Sequence, residues 1–83
     1  MSDLERIEIN PEIMLGKPVI RGTRITVELL LRKLGEGASE QDILDAYPRL
    51  TVDDLRAAQI FAADMVAREE RVRYLPGPSD SEK

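Results

Sequence analysis

Three cations, Lys17, Arg21 and Arg24, fall within eight residues of the chain, with no acid among them. Groups of this kind suit phosphate: Arg donates through a planar fork and Lys acts as a point charge. Placed around the turn Arg21-Gly22-Thr23, they can meet a nucleic-acid backbone or reach into a minor groove, as basic arms do. The competing reading is pairing with acids of the same chain or of a partner subunit, where exposed pairs contribute little. Farther along, Arg56 and Gln59 share one flank of an expected helix and suit guanine and adenine edges in a major groove. Thr51 and the amides at that helix start offer donors to a phosphate, and Arg49 stands just before them. Asp53 and Asp54 oppose this, because carboxylates in a first turn favour the helix dipole and repel phosphate. The candidate DNA-binding set is therefore Lys17, Arg21, Arg24, Arg49, Thr51, Arg56 and Gln59.

Other chemistries have little support. With 0 His and 0 Cys, the common nucleophile, base and metal-ligand types are missing. Ser2, Ser39, Ser79 and Ser81 have no evident base partner. Asp53 and Asp54 do not converge on a metal, since adjacent helical side chains point about 100° apart. No enzymatic activity, metal site or cofactor is expected.

The 83 residues allow one domain, read as residues 1–75 with a disordered tail at 76–83. A chain this short buries only about 60–65% of its unfolded surface, so a homodimer is favoured as a source of further burial. The net charge of -4 is unlike that of a protein that coats nucleic acid indiscriminately, although it leaves room for a local basic patch. No secretory signal is evident in "MSDLERIEIN", and the longest strictly apolar run is Leu29-Leu30-Leu31, so no membrane segment and a cytoplasmic location are expected.

The elements that must carry the basic residues follow from pattern. "RIEIN" alternates and reads as a short strand. A turn should hold "PEIML" up to Gly16. "KPVI" and "TRIT" then flank the Gly22 turn as a hairpin, with Pro18 placing its strand at an edge. Thr26 is an N-cap for a first helix, whose Val27, Leu30, Leu31 and Leu34 recur at helical spacing before Gly35 and Gly37. "SEQD" and "TVDD" are capping-box starts with Asp in the acidic position. They begin a short helix ending before Pro48 and a long one from Val52 to about Arg71. The fold class is mainly α: a trihelical, homeodomain-like helix-turn-helix core preceded by a short strand and a β-hairpin.

On the long helix, Leu55, Ala58, Ala62, Met65 and Val66 are placed on the core side. Ala57, Ile60 and Ala67 lie away from them, with Phe61 on the border. That second strip, and the strand residues Ile7, Ile9, Val19 and Ile20, predict a dimer or partner interface formed by Ile7, Ile9, Val19, Ile20, Ile60 and Phe61. Packing within the same chain is the alternative.

The run "GKPVIRGTRI", then "EGAS", "DILDAYPRLT" and "DLRAA", resembles the bacterial domain-of-unknown-function 433 family, over about residues 5 to 68. The family is similar to the antitoxins of VapBC-type toxin–antitoxin pairs, and its members often lie beside a PIN-like nuclease gene. Thr26 replaces a Pro common in the family, and both suit a helix start. The resemblance implies an antitoxin that binds its own operator DNA and neutralises a PIN-like ribonuclease, with residues 68–83 as a candidate toxin-binding segment anchored by Val72, Tyr74 and Leu75. The alternative is a protein-interaction module that binds a partner without binding DNA.

Overall fold

Each α-helix among the described residues begins where a side-chain oxygen accepts a first-turn amide that has no intrahelical acceptor. In the computed structural model, which describes residues 3–73 and the side chains of 5–69, these starts define three helices, α1 (Val27–Gly35), α2 (Glu40–Ala46) and α3 (Val52–Arg73). Thr26 caps α1 by accepting from the Leu29 amide at 3.0 Å. Ser39 and Asp42 cap α2 reciprocally, the Asp42 amide donating to Ser39 Oγ at 3.0 Å and the Ser39 amide to Asp42 Oδ2 at 2.9 Å. Thr51 and Asp54 repeat the arrangement at α3. Asp fills the acidic position both times and closes the box. The fold is mainly α, with the α2–turn–α3 order of a helix-turn-helix and a hairpin before it.

Ahead of the helices, a 3-10 turn at Asp3–Arg6 leads into β1 (Ile7–Glu8), and a second at Met14–Gly16 leads into β2 (Val19–Ile20). The strands pair antiparallel, Ile7 opposite Ile20 and Glu8 opposite Val19. On the other side of β2 the expected hairpin forms: the Ile20 amide donates to Ile25 O, the Val27 amide to Pro18 O, and Val19 bridges Thr26. Gly22 makes the turn possible with φ of +81°, a conformation only glycine adopts without strain. The edge position predicted for the Pro18 strand is corrected by this pairing. β2 is central, and Pro18 sits just before it, where its missing N–H removes nothing from the ladder.

The core joins Ile7, Ile20, Val27, Leu30, Ile43, Leu50, Leu55, Ala57 and Ala58. Ile7, Val19 and Ile20, expected between subunits, are buried within this chain. Ala57, expected on a second, outward strip, is fully buried as well. The reason for both corrections is the same. The N-terminal segment lies across α3, so this helix is covered on two sides near its start. Beyond Ala62 the side chains of α3 are exposed as far as they are described. Tyr74, Leu75 and the 76–83 tail lie outside the described residues, and so does the side chain of Val72. No helix among the described residues is long and apolar enough to cross a membrane.

One carboxylate fastens this arrangement. Asp54 is 8% exposed and divides its two oxygens. Oδ2 accepts the Thr51 amide at 3.0 Å, completing the cap, while Oδ1 accepts Arg6 Nη1, also at 3.0 Å. The second Arg6 nitrogen reaches Asp53 Oδ2 at 3.7 Å. Arg6 is in turn held by the hairpin, because its carbonyl accepts the Arg21 amide at 2.8 Å. Replacing Asp54 with Ala removes a cap and leaves the half-buried Arg6 guanidinium with only its longer contact to Asp53. Urea denaturation of Asp54→Ala should show a loss of about 2–4 kcal/mol. Arg21→Ala, which removes side-chain bonds to the N-terminal backbone, should cost about 1–2 kcal/mol in the same assay.

Candidate functional site

The hairpin turn places its basic residues in unequal roles. Arg21 folds back on its own chain: Nε donates to Glu5 O and Nη2 to Ile7 O at 3.3 Å. It is therefore a clamp on the N-terminal segment, with its donors aimed at backbone. Lys17 donates to Glu28 Oε1 at 3.2 Å, and Arg32 donates to Glu28 Oε2 at the same distance. These bonds, Lys17 first and Arg32 second, hold the Glu28 carboxyl below its ordinary pKa. The small stabilisation this brings is present above the ordinary carboxylate pKa and fades as pH falls through the lowered value. Arg24 makes no ion pair or hydrogen bond among the described residues.

Arg24 is not isolated in space. It lines a cleft of about 530 Å³ with Ile13, Gly22, Thr23 and Arg49. Arg49, from the connection between α2 and α3, donates Nη2 to Gly22 O at 3.0 Å. That bond fixes the guanidinium beside the turn and leaves other donors of its fork for a ligand. Two guanidinium groups from distant parts of the chain thus share one exposed, open cleft. Its chemistry is that of an anion site, and phosphate oxygens match the fork geometry.

The start of α3 offers less to a phosphate than its sequence promises. The Thr51 amide and the acceptor side of its hydroxyl both serve the Asp54 cap. Arg56 and Gln59 are exposed, as is Ala63, so positions 56, 59 and 63 form one solvent-facing strip. Arg56 Nη1 lies 3.9 Å from Asp53 Oδ1, a long surface contact that leaves the side chain adaptable. Among the predicted interface residues, Ile9 and Ile60 are exposed and Phe61 is half-buried. Phe61 helps line a mainly apolar groove of about 390 Å³ between α1 and α3, with Val27, Leu31, Met65 and Val66.

The structure thus brings Arg24 and Arg49 together and sets Arg56 and Gln59 on an accessible helix face. It assigns Arg21 and Thr51 to internal bonding and Lys17 to a surface ion pair. Sequence reasoning missed Arg6, whose partner Asp54 is 48 residues away with no local pattern to mark it. It also missed Ile13 as a wall of the cleft. No group of carboxylates able to hold a metal ion occurs among the described residues.

Known proteins share this architecture. A crystal structure of a DUF433 member from Anabaena variabilis superposes with a TM-score of 0.72 at 35% identity, covering 80% of this chain and 65% of the other. An uncharacterised protein of Sinorhizobium fredii, y4eO, is 36% identical over 58 residues, which is 70% of this chain and 26% of that protein. The chain thus spans about a quarter of the length of that curated relative. The family model described as "Protein of unknown function (DUF433)" matches residues 7–62. With the match covering the hairpin, α1, α2 and the first half of α3, the chain belongs to the DUF433 family.

Proposed function

We propose that this chain is an antitoxin-like, DNA-binding regulator of a toxin–antitoxin operon that also binds and neutralises a PIN-like ribonuclease. The observation that carries the DNA-binding part is the convergence of Arg24 and Arg49 on one exposed cleft beside the hairpin turn. In this reading the cleft grips a backbone phosphate while α3 presents Arg56 and Gln59 to base edges. The helix-turn-helix order of α2 and α3 and their accessible face support the geometry. The toxin partner rests on the resemblance of the motifs to antitoxins found beside nuclease genes. The role is one of binding, with no catalytic step and no cofactor.

The working unit in this reading is a homodimer, which would present two such helices to two half-sites. The exposed Ile60, Met65 and Val66 and the apolar groove between α1 and α3 support an association surface on the helical side, away from the strands. The same groove favours a second reading, a protein-interaction module that neutralises its partner without touching DNA. The net charge of -4 also favours it.

Salt dependence separates the two. Fluorescence anisotropy with the duplex upstream of the chain's own gene should show tight binding that weakens steeply as salt rises. Arg24→Ala with Arg49→Ala should lower the slope of log affinity against log salt by about 1, the share of the one phosphate that the cleft no longer neutralises. Arg56→Ala should relax the preference for the upstream duplex over an unrelated one, as removal of a base-reading side chain does. Absence of preference at any salt would leave the interaction module as the reading.

A further inference from the structure

The anion cleft has one wall that a phosphate does not need. Ile13 lines it together with Gly22, Thr23, Arg24 and Arg49. Two backbone bonds fix this residue: its amide donates to Asn10 O at 2.8 Å, and its carbonyl accepts the Gly16 amide at 3.0 Å. Ile13 is half-buried and stands outside the core cluster, so the apolar surface it keeps open belongs to the cleft. At about 530 Å³ the cleft is also within the roughly 300–1,000 Å³ of sites that hold whole small molecules, more room than a phosphate group alone needs.

A backbone phosphate held by Arg24 and Arg49 carries a sugar on each ester side. An apolar wall beside the grip therefore meets sugar. The two nucleic-acid sugars differ there, because the 2′-hydroxyl of ribose sits on the carbon next to the 3′ ester, and it both donates and accepts. None of the residues lining the cleft has a carboxylate or carboxamide to accept from it. The Thr23 hydroxyl already donates to Ile20 O at 2.8 Å and accepts the Ile25 amide at 3.0 Å, and Gly22 O already accepts Arg49. A 2′-hydroxyl brought against Ile13 loses water without gaining a partner, which disfavours it. Deoxyribose presents a methylene at the same place, and its burial is favourable.

We propose that the cleft is a deoxyribose-phosphate subsite and that Ile13 is the residue by which it selects DNA over RNA. This rests on the DNA-binding reading given above and adds to it the choice of sugar. Arg24 and Arg49 supply affinity common to both nucleic acids, since phosphate contacts carry no information about the sugar, and Ile13 supplies the discrimination.

The test uses the full chain and the upstream duplex, with deoxynucleotides replaced one at a time by ribonucleotides of the same base and affinity read by fluorescence anisotropy. Each replacement leaves the phosphates and base edges in place. At the nucleotide that meets the cleft it should weaken wild-type binding about fivefold, the low end of the cost of an unbonded hydroxyl. Valine and threonine have nearly the same shape and differ by a hydroxyl. Ile13→Val should keep the penalty, and Ile13→Thr, which offers the 2′-hydroxyl a partner, should reduce it to less than about twofold. If no ribonucleotide weakens wild-type binding, or if Ile13→Val and Ile13→Thr respond alike, the sugar selection is overturned and the DNA reading stands. If the wild type shows no preference for the upstream duplex, both are overturned.

Discussion

The fold depends on Asp54 meeting three demands at once. A carboxylate in the first turn of a helix is favourable by itself, because it satisfies an amide and complements the dipole. Here the second oxygen of the same group receives Arg6 from the other end of the domain. The pair is largely withdrawn from water, with side-chain exposures of 24% and 11%, so neither partner is easily removed without leaving the other uncompensated. Arg6 then anchors β1, Arg21 holds the backbone on either side of Arg6, and the hairpin turn is fixed in place. Arg49 completes the circuit by tying the connection before α3 to Gly22 O. A small chain without cysteines thus adds to its apolar core a set of arginines, bonded to backbone and carboxylate, that tie the sheet to the helices.

That use of arginine explains why the basic cluster read from the sequence divides so sharply. Spacing alone makes Lys17, Arg21 and Arg24 equivalent, since all three lie near one turn. The fold separates them by what lies opposite. Arg21 faces carbonyls of the N-terminal segment, Lys17 faces Glu28 across the start of α1, and Arg24 faces an open cleft. The cation left over by the internal bonding is the one positioned for an external anion, and Arg49 joins it only through long-range folding. An acidic protein can therefore carry a local anion site, because its net charge and its cleft are set by different residues.

Local chemistry made much of this legible. Thr26, Ser39 and Thr51 marked three helix starts because a cap depends on neighbours within three residues. The Gly22 turn and the strand at Ile7 were readable for the same reason. What depended on residues far apart in sequence was not. The Arg6–Asp54 pair, the central place of β2 and the burial of Ala57 all arise from the N-terminal segment crossing α3. A single helical stripe predicts one buried face, and a second covering element changes the count. Of the site, the residue types were legible in the sequence, but their pairing was not: Arg24 with Arg49 is a tertiary fact, and the diversion of Thr51 into the cap follows from the same Asp54.

The central claim is that phosphate meets this chain at the cleft beside the hairpin turn and that bases meet the exposed strip of α3. Titrating the ¹⁵N-labelled protein with the upstream duplex and following its amide resonances tests it most directly. The account predicts that Gly22, Thr23, Arg24 and Arg49 shift together with Arg56, Gln59 and Ala63, while Ile9 and Leu15 stay unperturbed. Shifts confined to the groove between α1 and α3, at Leu31, Met65 and Val66, or centred on Leu15, would contradict it.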